Sequence, residues 1–88
     1  MAAEGTMEFL PFASALAIVG AIQEEEHPRE NNRRIFTVYD KMDRELCWFD
    51  AEETIAIVAP GAVNPKKEEV QPKVEEYILN HIPQWVME

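Results

Sequence analysis

The stretch RIFTVYD-KMDR-ELCWFD, residues 34–50, places the strongest constraint on how this chain can fold. Residues 34–40 are rich in β-branched and aromatic side chains, which favour an extended strand. Residues 41–44 are polar and suit a short turn, and residues 45–50 form a second apolar run. We therefore predict a β-hairpin as the best-defined element of the fold.

Both faces of this hairpin carry apolar side chains. Successive side chains of a strand point to opposite faces, so Leu46 and Trp48 share one face while Cys47 and Phe49 share the other. A single short helix covers only one face of such a sheet, and the uncovered face would be a larger apolar patch than a monomer normally leaves in water. We expect that the sheet either curls into a partial barrel or is covered by a second copy or by another protein.

The remaining segments predict an α+β fold with a small antiparallel sheet of about four strands. Residues 14–23 fit either a helix or a strand, and the interior glycine and β-branched residues favour a strand. Residues 24–33 are polar and predict an exposed connection. Residues 54–59 are a further β-branched run and predict another strand, although Asp50 is placed to cap a short helical turn just before it.

The last third of the chain predicts a C-terminal amphipathic helix over residues 64–82. Asn64 and the proline after it suit a helix start, and Pro83 ends the apolar helical spacing. Pro72 lies inside this segment and predicts a break in the helix. With residues 1–8 and 83–88 as tails, the 88 residues make a single domain whose mainly β part spans residues 9–60.

The charge of the chain restricts its partners. It has 17 acidic and 8 basic residues and a net charge of −9, which disfavours direct binding to nucleic acid or to an anionic membrane and favours a basic partner. The longest apolar run, residues 9–22, is too short to span a bilayer. The single cysteine, Cys47, excludes an intramolecular disulfide, so we expect a reducing compartment, the cytoplasm.

Catalysis by Cys47 is not expected. A cysteine nucleophile needs a nearby histidine and a field that stabilises its thiolate. The chain contains only His27 and His81, and acidic residues surround the thiol. We predict that Cys47 is a small buried apolar residue.

The carboxylate clusters do not predict a catalytic or metal site either. One polar turn contains Asp50, Glu52 and Glu53. Their shared environment cannot give them the different pKa values that a catalytic acid and base require. Glu24 and His27 are spaced as on one helix face, but two histidines are too few for a complete metal site. We expect no enzyme activity, no cofactor and no metal.

These observations favour a small acidic protein that acts through a protein surface, as an adaptor, a small subunit or an inhibitor. Trp85 follows the expected helix end and either folds onto the core or serves as an exposed anchor. We also expect a homodimer across the sheet. The candidate partner-binding residues are Trp48, Leu46, Tyr39, Tyr77, Trp85, Glu52 and Glu53.

Two alternatives remain open from the sequence. In the first, ordered carboxylates mimic nucleic acid and block the basic groove of a nucleic-acid-binding protein, an interaction that weakens steeply with salt. In the second, less favoured, the chain is a small carboxylate-dependent enzyme with a site at a dimer interface.

Overall fold

The computed structural model describes residues 8–87. Its elements are α1 (Phe12–Ile18), β1 (Val19–Glu26), β2 (Arg34–Asp40), β3 (Glu45–Asp50), α2 (Ala51–Val58), α3 (Lys67–Leu79) and a 3-10 helix (Gln84–Met87). The strands form one open antiparallel sheet in the order β1-β2-β3. The α+β class is confirmed, with three strands in the described residues instead of about four and without closure into a barrel. Residues 1–7 of the expected N-terminal tail lie outside the described residues.

The hairpin has the predicted bounds. Val38 pairs with Cys47, and the turn is held by Asp40, whose Oδ1 accepts the amides of Met42 at 2.8 Å and Arg44 at 2.9 Å. Asp43 takes the left-handed conformation, with φ of 64°, which short polar side chains tolerate better than most. Local turn chemistry therefore fixes the register of this pair.

The segment that fits either helix or strand is divided between the two. The segment is helical up to Ile18 and extended from the next residue on. In the helical part, the amide of Ala15 donates to the carbonyl of Pro11 at 3.0 Å. The strand prediction was thus wrong for the first half, because Ala15 is fully buried and favours the helix. Gly20 lies at a bulge where a Cβ would approach the carbonyl oxygen of Asp40 to 2.5 Å.

The predicted connection over residues 24–33 begins later than expected. Its first three residues belong to β1, an edge strand on which charged side chains are tolerated. They gain partners across the sheet: Oε2 of Glu24 accepts Nε of Arg34 at 3.1 Å, and Glu25 accepts the hydroxyls of Thr37 at 2.8 Å and Tyr39 at 2.7 Å. These cross-strand bonds offset the low strand propensity of glutamate.

The predicted strand over residues 54–59 was wrong, because residues 54–58 lie in α2 and Ala59 is its C-cap. Oδ1 of Asp50 caps the helix by accepting the amide of Glu53 at 2.9 Å, and the Thr54 hydroxyl donates to the Asp50 carbonyl at 2.8 Å. Thr54 is buried, and Ile55 packs against the core one residue later. Packing of one helical face overrides the β propensity of the branched residues.

Helix α3 runs through Pro72 without the predicted break. A proline removes one hydrogen bond to the carbonyl four residues earlier, which here belongs to Glu68. Both residues are exposed, so water can replace the missing donor while the buried face of the helix stays intact.

The ends of α3 also differ from residues 64–82. Asn64 has a φ of 51°, so it does not cap the helix, and the N-cap is Lys66. The helix ends before Asn80, whose amide donates to the carbonyls of Glu76 and Tyr77. The predicted helix was therefore right in kind and too long at both ends.

The core lies between α3 and one face of the sheet. Val70, Val74 and Ile78 form a buried stripe on α3 and belong to one cluster with Phe36 and Val38 of β2. This is the face that the single helix was expected to cover.

The opposite face of the sheet is not bare, contrary to the expectation from its apolar pattern. Ile35 is buried, and Thr37 is only 1% exposed. The hydroxyl of Thr37 bonds to Glu25, and Trp48 lies beside it in register. The long side chains of the outer strands therefore close most of this face.

Candidate functional site

A groove with a volume of about 380 Å³ lies along the outer edge of β3. On its inner side β3 pairs with β2, and it is the last strand of the sheet. Among residues 8–87, no second strand pairs with it. The lining residues are Phe9, Cys47, Trp48, Phe49, Tyr77, His81, Pro83 and Trp85.

The two ends of the described chain build the wall opposite β3. The amide of Leu10 donates to the carbonyl of Ile82 at 2.9 Å, and the amide of Gln84 donates to the carbonyl of Glu8 at 2.9 Å. Phe9 lies between these bonds in an antiparallel bridge to Pro83. This pairing fixes Phe9 in the groove.

Four rings in mutual contact, one pair stacked and the others edge-on, form the floor of the groove. Tyr77 and His81, one turn apart on and just beyond α3, stack with ring centroids 4.1 Å apart. Phe9 meets His81 edge-on at 5.0 Å, and Phe49 meets Tyr77 edge-on at 6.3 Å. Nδ1 of His81 lies 2.7 Å from the Tyr77 carbonyl oxygen. Because a carbonyl oxygen only accepts, Nδ1 carries a proton in this hydrogen bond, and in the tautomer with that single ring proton Nε2 is an acceptor.

Three aromatic side chains at the rim remain open to solvent. Phe9 is 41% exposed, Trp48 43% and Trp85 53%. They converge on one groove although they come from three separate parts of the chain. Grouped aromatic surface of this kind is typical of a binding site.

Trp48 is held in place from the side of the sheet that faces away from α3. The guanidinium carbon of Arg33 lies 5.2 Å from the centre of its ring, and His27 meets it edge-on at 5.5 Å. Nε of Arg33 donates to Asp50 at 2.9 Å, and its Nη1 donates to Glu30 at 2.8 Å. The exposed indole is thus oriented by an ion-paired arginine.

The groove brings together three of the seven residues predicted to bind a partner, namely Trp48, Tyr77 and Trp85. The other four lie elsewhere. Leu46 is half-buried against the core, and the Tyr39 hydroxyl is bonded to Glu25 on the opposite face. Glu52 and Glu53 are exposed in the first turn of α2.

Sequence reasoning missed the other members of the groove as partner-binding residues: Phe9, Cys47, Phe49, His81 and Pro83. The four-residue spacing of Tyr77 and His81 was a usable signal, since it places both on one helical face. No local signal marks Phe9, because its position depends on pairing between distant parts of the chain.

Cys47 lines the groove and is buried, as predicted. Burial raises the pKa of its thiol to about 11, and the nearby charge of Glu45 adds to the shift. The thiolate that a nucleophile or a metal ligand requires is therefore scarce at neutral pH.

The described part of the chain shows neither a metal-binding group of side chains nor a helix that could span a membrane. Residues 8–87 contain no group of three His, Cys, Asp or Glu side chains arranged to hold a metal ion. Over the same residues, no helix combines the length and the apolar character needed to cross a bilayer.

Comparison of the chain with protein-family models, with curated proteins and with solved structures returned no match.

Proposed function

We propose that this protein is a non-enzymatic interaction module that binds a segment of another protein in the groove beside β3. The observation that carries the proposal is the convergence of Phe9, Trp48 and Trp85, each about half-exposed, on one groove. Exposed aromatic rings lose unfavourable contact with water when a partner covers them, and tryptophan and tyrosine dominate binding hot spots.

The edge of β3 suggests how the segment binds. An edge strand presents unpaired amide and carbonyl groups, and an extended peptide can add to it as a further strand. Cys47, Trp48 and Phe49 are consecutive in β3 and all line the groove. A segment paired with β3 would place alternate side chains over the aromatic rings.

The chemistry of the lining residues supports binding over catalysis. The Cys47 thiol has a raised pKa, and the imidazole of His81 is stacked on Tyr77 with one nitrogen committed to a carbonyl. No acid of the cluster Asp50, Glu52 and Glu53 lines the groove.

We also propose a cytoplasmic location, because Cys47 is a free thiol and a reducing compartment keeps thiols free.

A homodimer is the competing proposal for the same surface. Two chains that each carry a net charge of −9 repel one another, which favours a basic partner over a second copy. Light scattering at high concentration separates the proposals. A measured mass of 10.1 kDa would show a monomer and favour another protein as the partner. A doubled mass for the wild-type chain, together with a monomer mass for Trp48→Ala, would show that a second copy occupies the groove.

Nucleic-acid mimicry has less support from the described contacts. Glu24 is paired with Arg34, and Asp50 is paired with Arg33. These carboxylates are partly neutralised within the chain, so they present less of the charge that a basic groove would recognise. The salt dependence of partner binding distinguishes the two functions, because mimicry predicts a steep loss of affinity and an aromatic groove a shallow one.

The test of the proposed function compares two variants that each remove an exposed apolar side chain. Trp85→Ala alters the groove, whereas Ile57→Ala alters a similarly exposed position on α2 that does not line it. A partner captured from a lysate of the source organism is identified by mass spectrometry, purified and titrated against both variants.

We expect Trp85→Ala to weaken binding of the purified partner at least about tenfold, the usual scale for a tryptophan hot spot, and Ile57→Ala to leave it unchanged. Equal affinities for the wild-type chain and Trp85→Ala would show that the partner binds elsewhere.

A further inference from the structure

The rings of the groove form an electrostatic surface as well as an apolar one. Six aromatic rings line it, those of Phe9, Trp48, Phe49, Tyr77, His81 and Trp85. The face of an aromatic ring is negative, so it attracts a cation placed over it, and the attraction grows as the cation is removed from water. A groove lined in this way distinguishes a cationic side chain from a neutral one of the same shape.

One of these rings already holds a cation. The guanidinium of Arg33 lies 5.2 Å from the centre of the Trp48 ring while its N–H groups donate to Asp50 and Glu30. A guanidinium can therefore lie over an indole at this surface while its N–H groups donate to carboxylates. The Trp85 ring and the Tyr77–His81 stack line the same groove. None of the lining residues is a Lys or Arg that could place a cation over these rings.

The charge around the groove also favours a cation. Among residues 8–87, no Asp, Glu, Lys or Arg side chain lines it, and the chain as a whole has a net charge of −9. An acidic or phosphorylated segment would be repelled by this field, whereas a basic one is attracted.

The acceptors available in the groove suit arginine better than lysine. Nε2 of His81 and the Tyr77 hydroxyl can each accept one hydrogen bond, and the edge of β3 adds backbone carbonyls. An ammonium group is compact and strongly hydrated, so it loses more on leaving water than a guanidinium does. A guanidinium also stacks on aromatic faces, and Trp85 is 53% exposed.

We propose that the partner segment inserts an arginine side chain into the aromatic groove beside β3. This inference rests on the proposed function and names the chemistry of the partner that the groove selects. The arginine would stack against Trp85 and the Tyr77–His81 pair while the segment backbone lies along β3.

The test uses two blocked pentapeptides of alternating threonine and valine, identical except for a central arginine or its neutral isostere, citrulline. Binding is followed by NMR through the indole N–H signals. The chain contains two tryptophans, so two signals report on the groove, and the variants Trp48→Phe and Trp85→Phe assign them. Trp85→Ala and Ile57→Ala serve as groove and control variants of unchanged net charge.

We expect the arginine peptide to shift the Trp85 signal saturably and to bind about tenfold more tightly than the citrulline peptide, the scale of a partly desolvated cation–π contact. The Ile57→Ala control should preserve this difference and Trp85→Ala should abolish it. Survival of the difference in Trp85→Ala would mean general attraction to an acidic surface and would overturn the inference.

The same titration separates this inference from the proposed function. If both peptides shift the Trp85 signal and bind with equal affinity, the preference for arginine is refuted. The groove would still be a peptide-binding site. Failure of both peptides to bind, combined with a natural partner that depends on Trp85, would refute the arginine while the proposed function stands. A natural partner that ignores Trp85 would refute the proposed function itself.

Discussion

Nε of Arg33 donates a 2.9 Å hydrogen bond to Oδ2 of Asp50, and Oδ1 of the same carboxylate accepts the amide of Glu53 at 2.9 Å. One side chain thus joins the residue preceding β2 to the end of β3 and caps α2. The same arginine lies over Trp48. The carboxylate of Asp50 therefore stabilises the fold and orients one wall of the groove.

Asp50→Ala removes both the helix cap and the partner of Arg33. We expect the free energy of unfolding to fall by about 1–2 kcal/mol, mostly from loss of the cap, because a partly exposed ion pair contributes little. Asp50→Asn keeps an oxygen for the Glu53 amide and should cost less. Urea unfolding measures both, with Asp43→Asn, an exposed residue of the turn, as the control for charge. A loss in Asp50→Asn as large as in Asp50→Ala would mean that the ion pair dominates.

Acid should destabilise the protein through Asp40 and Asp50. The pKa of the Asp50 carboxyl is lowered first by the Glu53 amide and then by Arg33, and that of Asp40 is lowered chiefly by the Arg44 amide. Both carboxyl groups bind a proton less readily in the folded protein than in the unfolded chain. Their contribution to the free energy of unfolding is therefore present above the ordinary pKa of 3.8, and it is lost as the pH falls through and below that value. Urea midpoints measured from pH 5 downward should show this decline, and Asp50→Asn should make it shallower. An unchanged slope in that variant would exclude Asp50 as a cause.

The Cys47 thiol should react slowly with Ellman's reagent. Its pKa of about 11, compared with an ordinary value of 9.0, lowers the thiolate fraction at pH 8 about a hundredfold, and burial slows access further. Reaction in urea should recover the rate of an unfolded thiol. A native rate close to the rate in urea would show that the thiol is accessible through the groove.

Gly20→Ala should destabilise the sheet. An added Cβ would meet the carbonyl oxygen of Asp40 at 2.5 Å, and backbone on the neighbouring strand cannot move away freely. We expect a loss of about 1–3 kcal/mol in the free energy of unfolding, the range typical of overpacking. Gly61→Ala is the comparison: it meets no atom, but its φ of 79° makes it cost about 1 kcal/mol. A loss for Gly20→Ala no larger than that would mean that the bulge relaxes.

Pro72→Ala should stabilise the protein. The substitution restores a donor to the carbonyl of Glu68 and removes the ring from the interior of α3. We expect a gain of about 1–2 kcal/mol, less than the full helix penalty of proline because the proline also restricts the unfolded chain. Thermal unfolding measures the gain, and Gln71→Ala, at the preceding position, is the control for alanine propensity. An unchanged free energy of unfolding would mean that Pro72 does not destabilise α3, because packing of the buried face holds the helix together.

Three of the eight groove residues could be predicted from the sequence. Trp48, Tyr77 and Trp85 were identified as partner-binding residues because large aromatic side chains at a strand, a helix face and a tail are conspicuous in any sequence. Leu46 was assigned to the same surface because strand alternation places it with Trp48, and Tyr39 of the partner strand was named with them. The bulge after Val38 and the carboxylate of Glu25 separate them from the groove, and neither follows from alternation.

The sequence alone determined the hairpin and the helical nature of the last third of the chain. Each depends on neighbours within a few residues: side-chain alternation, turn chemistry and helical spacing act locally.

Only the tertiary structure decided that residues 54–58 are helical and that Phe9 belongs to the groove. The first follows from burial of one face of α2 against the core, and the second from the pairing of Leu10 with Ile82 at the opposite end of the chain. Such long-range contacts outweigh local propensities because they bury apolar surface, and that gain exists only once distant segments have met.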